Sequence, residues 1–368
     1  MRFFVLCLCL FSFNVFAVNV SDLYRVSIAV DDQSEESRKL GVQWAFQQLL
    51  IKVSGYQEVL ANPTLVAASQ NAERYMQGFS YHQDSVDDQT YLQAWFSKAL
   101  VTPLMKRAQA PVWGENRPLL LNWLVIEPPV AEVEGGGLSE AEAKFSQAGV
   151  IFESDVNNLS RGERLLVSEQ SPEWKTRFDR AFSERGLPLL WPINDLEDQT
   201  TLPLDQLWWL FPEAITQASV RYQADAVLAG RLNQSAEGTW QYEGLLFRAE
   251  MKLPILTQGD SPFAALSLAS MEVGRYFADQ FAIKSDPMSG RSGVRVVVRK
   301  VEDFTDYSQV IAYLQSISGV RQVEVAQVDK ENLQLYIALE GDWNKVQRII
   351  RLDNKLSILQ ETEFEWTQ

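Results

Sequence analysis

Apolar and polar positions along this chain switch repeatedly between strand and helix spacing, and the resulting elements group into three blocks. Leu23 to Val30 reads as a strand running into the acidic turn Asp31-Asp32. Val42, Phe46, Leu49, Leu50 and Val53 then recur at helical spacing, with Asp32 and Glu35 spaced as a capping pair and Gly55 as the stop. A second helix is expected from Pro63 to Met76, and a returning strand from Tyr91 to Ala99 after the polar loop Asp84 to Gln89. A short segment through Pro103 reaches Pro111-Val112-Trp113-Gly114, which reads as a boundary.

The second block opens with Leu119 to Ile126, an unalternating apolar run of the kind a strand covered on both faces needs. Pro128 to Glu142 is acidic and glycine-bearing, so a solvated loop is expected. Ser171-Pro172 starts a helix whose face holds Trp174, Phe178, Ala181 and Phe182, and Gly186 ends it. Pro212 starts another, leading through Ala224-Asp225 to the strand Ala226 to Gly230. The turn Ala236-Glu237-Gly238 precedes a strand from Thr239 to about Met251. Leu266, Ser270, Val273, Phe277 and Phe281 define a long amphipathic helix between modules, and Ser285 to Gly293 is a linker.

The third block alternates Val294, Val296 and Val298 with Arg295 and Arg299. It continues with a helix face of Tyr307, Val310, Ile311, Leu314 and Ile317, a strand Val320 to Val328, and a strand carrying Leu333, Leu335, Ile337 and Leu339. A helix capped by Asp342 and a fourth strand from Ile358 to Trp366 complete the order β-α-β-β-α-β of the ferredoxin-like fold. The expected class is α+β: a signal at 1–17, mixed α/β modules at 18–114 and 115–260, a linking helix at 261–285 and a ferredoxin-like module at 292–368.

The signal changes the reading of the charges and cysteines. Met1 and Arg2 precede the apolar run Phe3 to Phe16, and Val15-Phe16-Ala17 offers a cleavage point. The run is shorter than the ~20 residues that span a bilayer, so export to the periplasm without a retained membrane span is expected. Both cysteines, Cys7 and Cys9, lie inside it, which leaves the exported chain without a thiol for a disulfide, a nucleophile or a zinc site. Losing Arg2 leaves 32 basic against 48 acidic residues, a balance of −16 that disfavours nucleic acid as a partner.

Three segments carry a resemblance: Leu50 to Gly55; Pro111-Val112-Trp113-Gly114-Glu115-Asn116-Arg117-Pro118; and Ala224-Asp225-Ala226-Val227-Leu228-Ala229-Gly230-Arg231-Leu232 with Gly238-Thr239-Trp240. Together they resemble the secreted proteobacterial family known only as domain of unknown function 2066, which implies a Gram-negative periplasmic setting and transfers no catalytic residue. The second block is also similar to the amino-terminal module of the translocation protein TolB, and to modules of curli-secretion and penicillin-binding-protein activator lipoproteins. That similarity implies protein docking.

Candidate chemistry is sparse. His82 is the single histidine and sits in a polar stretch, where an exposed loop position is expected. Gly290-Arg291-Ser292-Gly293 lacks nucleophile-elbow spacing, and Gly135-Gly136-Gly137 lacks the Lys and Ser or Thr of a phosphate loop. Asp155, Asn157 and Leu159 break a calcium loop at its third position. Asp31-Asp32 and Asp87-Asp88 supply the paired carboxylates a glycosidase needs, but both flank expected elements where carboxylates cap helices. Asp225 reads as a turn carboxylate. Trp191, Trp208 and Trp209 frame the polar stretch Asn194 to Gln206 and are the candidate interaction residues. The residues therefore favour an envelope protein that binds other proteins and needs no cofactor; the alternative is a carboxylate-dependent glycan-active enzyme or a cell-wall glycan binder.

Overall fold

A computed structural model describes residues 20, 22–83, 89–127, 164–168, 171–285 and 293–367. The fold is of the α+β class, with helices packed on three mixed or antiparallel sheets.

The first sheet holds β1 (Arg25–Val30), β2 (Met76–Gln83) and β3 (Thr90–Phe96), all antiparallel, with β3 in the middle. Helix α1 (Glu35–Ser54) buries Val42, Ala45, Phe46, Leu49, Leu50 and Val53 as its spacing requires, and Gly55 closes it at φ +80°. The cap differs from expectation. Ser34 accepts from the Ser37 amide, while Asp32 sits one step back and accepts from the Ser34 amide at 2.9 Å. The helix expected through Met76 ends early: α2 (Pro63–Ser69) gives way to a 3-10 turn at Ala72–Tyr75, and Met76 already belongs to β2. After β3 the chain forms α3 (Lys98–Arg107), with Pro103 inside it.

The second sheet has the order β5-β4-β7-β8-β9, built from β4 (Leu120–Glu127), β5 (Leu165–Val167), β7 (Ala226–Gln234), β8 (Trp240–Arg248) and β9 (Met251–Gly259). The short β6 (Leu189–Leu190) runs parallel beside β4. Strand β4 is covered on both faces, as its unbroken apolar run demands. Leu120, Leu124 and Ile126 enter the core under α4 (Pro172–Ser183) and α8 (Pro262–Phe281). Leu121, Trp123 and Val125 face the opposite core, shared with α6 (Leu204–Trp208) and α7 (Pro212–Ser219). The polar stretch Asn194 to Gln206 is helical for most of its length, forming α5 (Leu196–Thr201) and the start of α6. The strand expected to run from Thr239 to Met251 ends at Arg248, and β9 pairs back on it as a further hairpin arm.

The third sheet departs from the ferredoxin-like order in one respect. Strands β10 (Gly293–Arg299), β11 (Val320–Asp329) and β12 (Asn332–Leu339), with α9 (Phe304–Ser316) and α10 (Trp343–Asp353), follow the expected sequence and pairing. The segment expected as one fourth strand is a hairpin, β13 (Leu356–Gln360) and β14 (Glu363–Trp366), and β14 lies parallel to β10. The order is thus β11-β12-β10-β14-β13, a β-α-β-β-α-β-β unit. A turn at Glu361-Thr362, beside a register shift between Ile358 and Gln360, breaks the segment in two.

The modules are not beads on a string. One apolar core runs from the second sheet through Phe277, Phe281 and Ile283 into the third module, where Val310, Leu335 and Val346 continue it. A Cβ at Gly319 or Gly341 would overlap Ile283, so the chain leaving α8 fits where only glycine leaves room. The Lys345 ammonium donates to the Ala282 carbonyl at 2.6 Å, and Arg348 donates to the Gln280 side chain at 2.7 Å. The helix expected as a link is therefore a wall of the middle core and an anchor for the last module.

Candidate functional site

The three candidate tryptophans differ in burial, and Trp208 and Trp209 share Arg231 as a neighbour. Trp191 is buried, and its indole N–H donates to Asp179 Oδ1 at 2.7 Å. Trp208 is buried as well, with the Arg164 guanidinium 4.0 Å above its ring and Arg231 at 5.3 Å. Arg164 is held there by Glu127 and Asp205, and Arg231 by a hydrogen bond to the Trp208 carbonyl at 3.1 Å. Both rings are structural. Only Trp209 reaches solvent, 61% exposed just past the end of α6.

Trp209 is not isolated. Arg231 lies 5.5 Å from its ring centre. Strand register places Arg231 opposite Glu243 and Glu243 opposite Leu256, so these three side chains form a row across β7, β8 and β9. Arg231 and Glu243 pair at 2.6 Å, while Leu256 is 65% and the nearby Phe211 51% exposed. The row lies on the face covered by α6 and α7 farther back. Those helices stop short of β9, so Leu256 and the Trp209 indole remain exposed on either side of the Arg231–Glu243 pair, and Phe211 is exposed two residues beyond Trp209. Strand β9 is the sheet edge, and Pro254 in its middle fits only there, because proline cannot donate to a further strand. Sequence reasoning found Trp209, with Phe211 weighed only as an anchor of the segment on the sheet, but not Leu256, Arg231 or Glu243. Arg231 and Glu243 are joined by the β7–β8 register, and Leu256 joins them only through the hairpin β8–β9, which the sequence pattern does not mark.

A second polar cluster lies at the junction of all three modules, and it is buried. Arg117 is fully buried and donates four hydrogen bonds, all to carbonyls: Gly114 at 2.7 Å, Arg185 at 3.2 Å, Lys52 at 2.9 Å and Trp113 at 2.8 Å. Its guanidinium lies 3.6 Å over the buried Trp113 ring. The Lys52 carbonyl belongs to the last turn of α1, where unpaired carbonyls carry the negative end of the helix dipole. Burial pushes Arg117 down to about 9, so it stays protonated at neutral pH. Lys52, pushed down to about 8 by burial and by Arg117, is anchored on the carbonyls of Asp22 and Arg25. Next in the chain, Asn116 donates to Asp353 at the end of α10, and Tyr313 donates to the same oxygen at 2.9 Å. Burial raises Asp353 to about 6. Pro111 to Gly114, expected to mark a boundary, and the Asn116-Arg117 pair that follows thus form the joint of the molecule.

The remaining candidates fall apart as catalytic sets. His82 lies on β2 rather than in a loop, exposed and stacked at 5.5 Å on Tyr91, whose hydroxyl accepts from Arg180 at 2.5 Å. Asp31 and Asp32 are exposed at the start of α1. Asp225 accepts from the Leu119 amide at 2.7 Å, a strand-joining contact, and burial raises its pKa. Asp87-Asp88, the glycines 135–137 and the segment 155–159 lie outside the described residues. Among the described residues, no group of three or more His, Cys, Asp or Glu is placed to hold a metal, and no helix is long and apolar enough to cross a membrane.

Comparison with known proteins adds one match. No curated protein and no solved structure matches the chain. A family model described as a domain of unknown function, DUF8605, matches residues 17–114, the amino-terminal module.

Proposed function

We propose that this chain is an exported, periplasmic protein that acts by docking another envelope protein on the open face of its middle sheet. The observation that carries this reading is the row Arg231, Glu243 and Leu256 with the exposed Trp209 ring beside Arg231. Tryptophan and arginine dominate protein interfaces because a large rigid surface and a multivalent donor gain much on desolvation. A monomer leaves such a set in water at a cost, since each exposed apolar side chain forgoes burial of roughly 1.5–3 kcal/mol. The Arg231–Glu243 pair gives the face a polar centre that fixes the partner's register. The apolar leader with Arg2 supports export, and the resemblance to docking modules of secreted proteins supports an envelope partner.

The test is a photoreactive amino acid at position 256 in growing cells. A discrete adduct that disappears on Trp209→Ala is the expected result. Labelling no different from that at position 325 of the last module, or an adduct indifferent to Trp209→Ala, rejects the docking face. Quenching of tryptophan emission by soluble wall fragments, lost in the same variant, would shift the reading to a glycan partner.

A further inference from the structure

A cleft of about 970 Å³ opens on the amino-terminal module, far in sequence from the Trp209 face. Its floor is apolar: Val42 of α1, Ala68 of α2, Ala72 and Leu104 of α3 are all buried there. Its rim carries Lys39, Arg74 and Arg107 against a single acid, Glu73. Lys39 is paired with Glu35, and Glu73 is answered by Arg38 at 3.8 Å, neither Glu35 nor Arg38 lining the cleft. Arg74 and Arg107 have no ion pair or side-chain hydrogen bond among the described residues. In a chain of net charge −15, a cleft with three cations and one acid is a local reversal of sign. Thr64, Gln43 and Asn71 add further hydrogen-bonding groups beside them.

We propose that this cleft binds a small amphiphilic anion, a carboxylate or phosphate on a short apolar body. The head meets Arg74 and Arg107, whose planar forks suit two-oxygen acceptors, and the body covers the alanine and leucine floor. The volume lies within the range of small-molecule sites, and the wall is more polar and more cationic than most such sites, which favours a charged ligand. Two guanidiniums without a protein partner among the described residues, lining the same cleft as an apolar floor, are the groups an anion with an apolar tail engages together, whereas a neutral sugar engages neither charge.

The probe is 8-anilinonaphthalene-1-sulfonate, an anion on an aromatic body, added to the full-length chain. Enhanced emission displaced by octanoate or octyl phosphate, but not by octyl glucoside or octylammonium, is the expected result. The double variant Arg74→Gln/Arg107→Gln should weaken the octanoate competition about tenfold, as losing charged hydrogen bonds does. Arg74→Lys/Arg107→Lys should recover part of it, and Trp209→Ala should leave it unchanged. An unaltered thermal midpoint shows that the Gln variant is folded, which its exposed positions favour. Equal displacement by octyl glucoside, or full competition in the Gln variant, overturns the proposal. Pelleting with phosphatidylglycerol vesicles that depends on both arginines overturns it too, by assigning the site to a lipid surface.

Discussion

Two arginine–tryptophan pairs in this molecule have the same chemistry and opposite fates. Arg117 lies 3.6 Å over Trp113 with both side chains out of water, and every neighbour is a carbonyl or a core side chain. Arg231, half-buried, lies 5.5 Å from the exposed Trp209 ring, with the Glu243 carboxylate and the Trp208 carbonyl at its side and Leu256 left exposed on the same face. The first pair is finished by the fold; the second is left open by it. The residue types alone do not set the role. What sets it is how many elements converge: carbonyls of the amino-terminal and middle modules meet at Arg117, whereas the helices over the middle sheet end before reaching β9.

The contrast can be broken most forcefully at the junction. Arg117→Ala strands four carbonyls in the core and opens a void beside Trp113, so a loss of about 3–5 kcal/mol is expected in denaturant unfolding. Arg117→Lys keeps the charge but not the fork or the stacking, and should lose about 2 kcal/mol. Gly55→Ala acts on the same joint from the other side: its φ of +80° disfavours a side chain, and the new Cβ would overlap Ala278 of α8. About 2–3 kcal/mol is expected, seen as a lower thermal midpoint.

Asp353 gives the joint a pH dependence of definite sign. Its folded-state value of about 6 lies above the ordinary carboxyl value of 3.8, because burial opposes its charge more than the Tyr313 and Asn116 donors favour it. The native state therefore keeps a proton that the unfolded chain has released between about pH 4 and 6. This group's contribution falls as pH rises through that window, making the protein about 1 kcal/mol more stable at pH 5 than at pH 7 on its account. Asp225 and Glu184, also raised by burial, act in the same direction. In Asp353→Asn the difference between the two pH values should shrink by that amount, read from paired denaturation curves. At the open pair the expectation is smallest: Trp209→Ala should change stability by less than about 0.5 kcal/mol while abolishing adducts at position 256.

Much of this arrangement is legible in the sequence wherever periodicity and caps agree. Helix α1, strand β4 and helix α8 present their buried faces where the apolar spacing puts them. What escaped follows a physical rule. Strand β2 carries a register shift between Met76 and Gly78 that disrupts its alternation, and α3 holds Pro103, which ordinarily ends a helix. The hairpins β8–β9 and β13–β14 turn without glycine at their tips; Ala249 adopts φ +50° instead, so no turn signal marks them. The open face depends on the first of those hairpins and was hidden with it. Arg117 was visible four residues after Trp113, but its role lies in carbonyls from Lys52 and Arg185, which no local pattern reveals.

The account stands most directly on whether Trp209 is covered in the cell. Hydroxyl-radical footprinting of the chain in intact cells and after purification compares its oxidation with that of Trp44, 55% exposed on α1 and away from the face. The expected result is protection of Trp209 and Phe211 in cells and their full labelling once purified, with Trp44 alike in both. Equal labelling of Trp209 in the two settings, with Trp44 as the matched control, would contradict a docking role for this face.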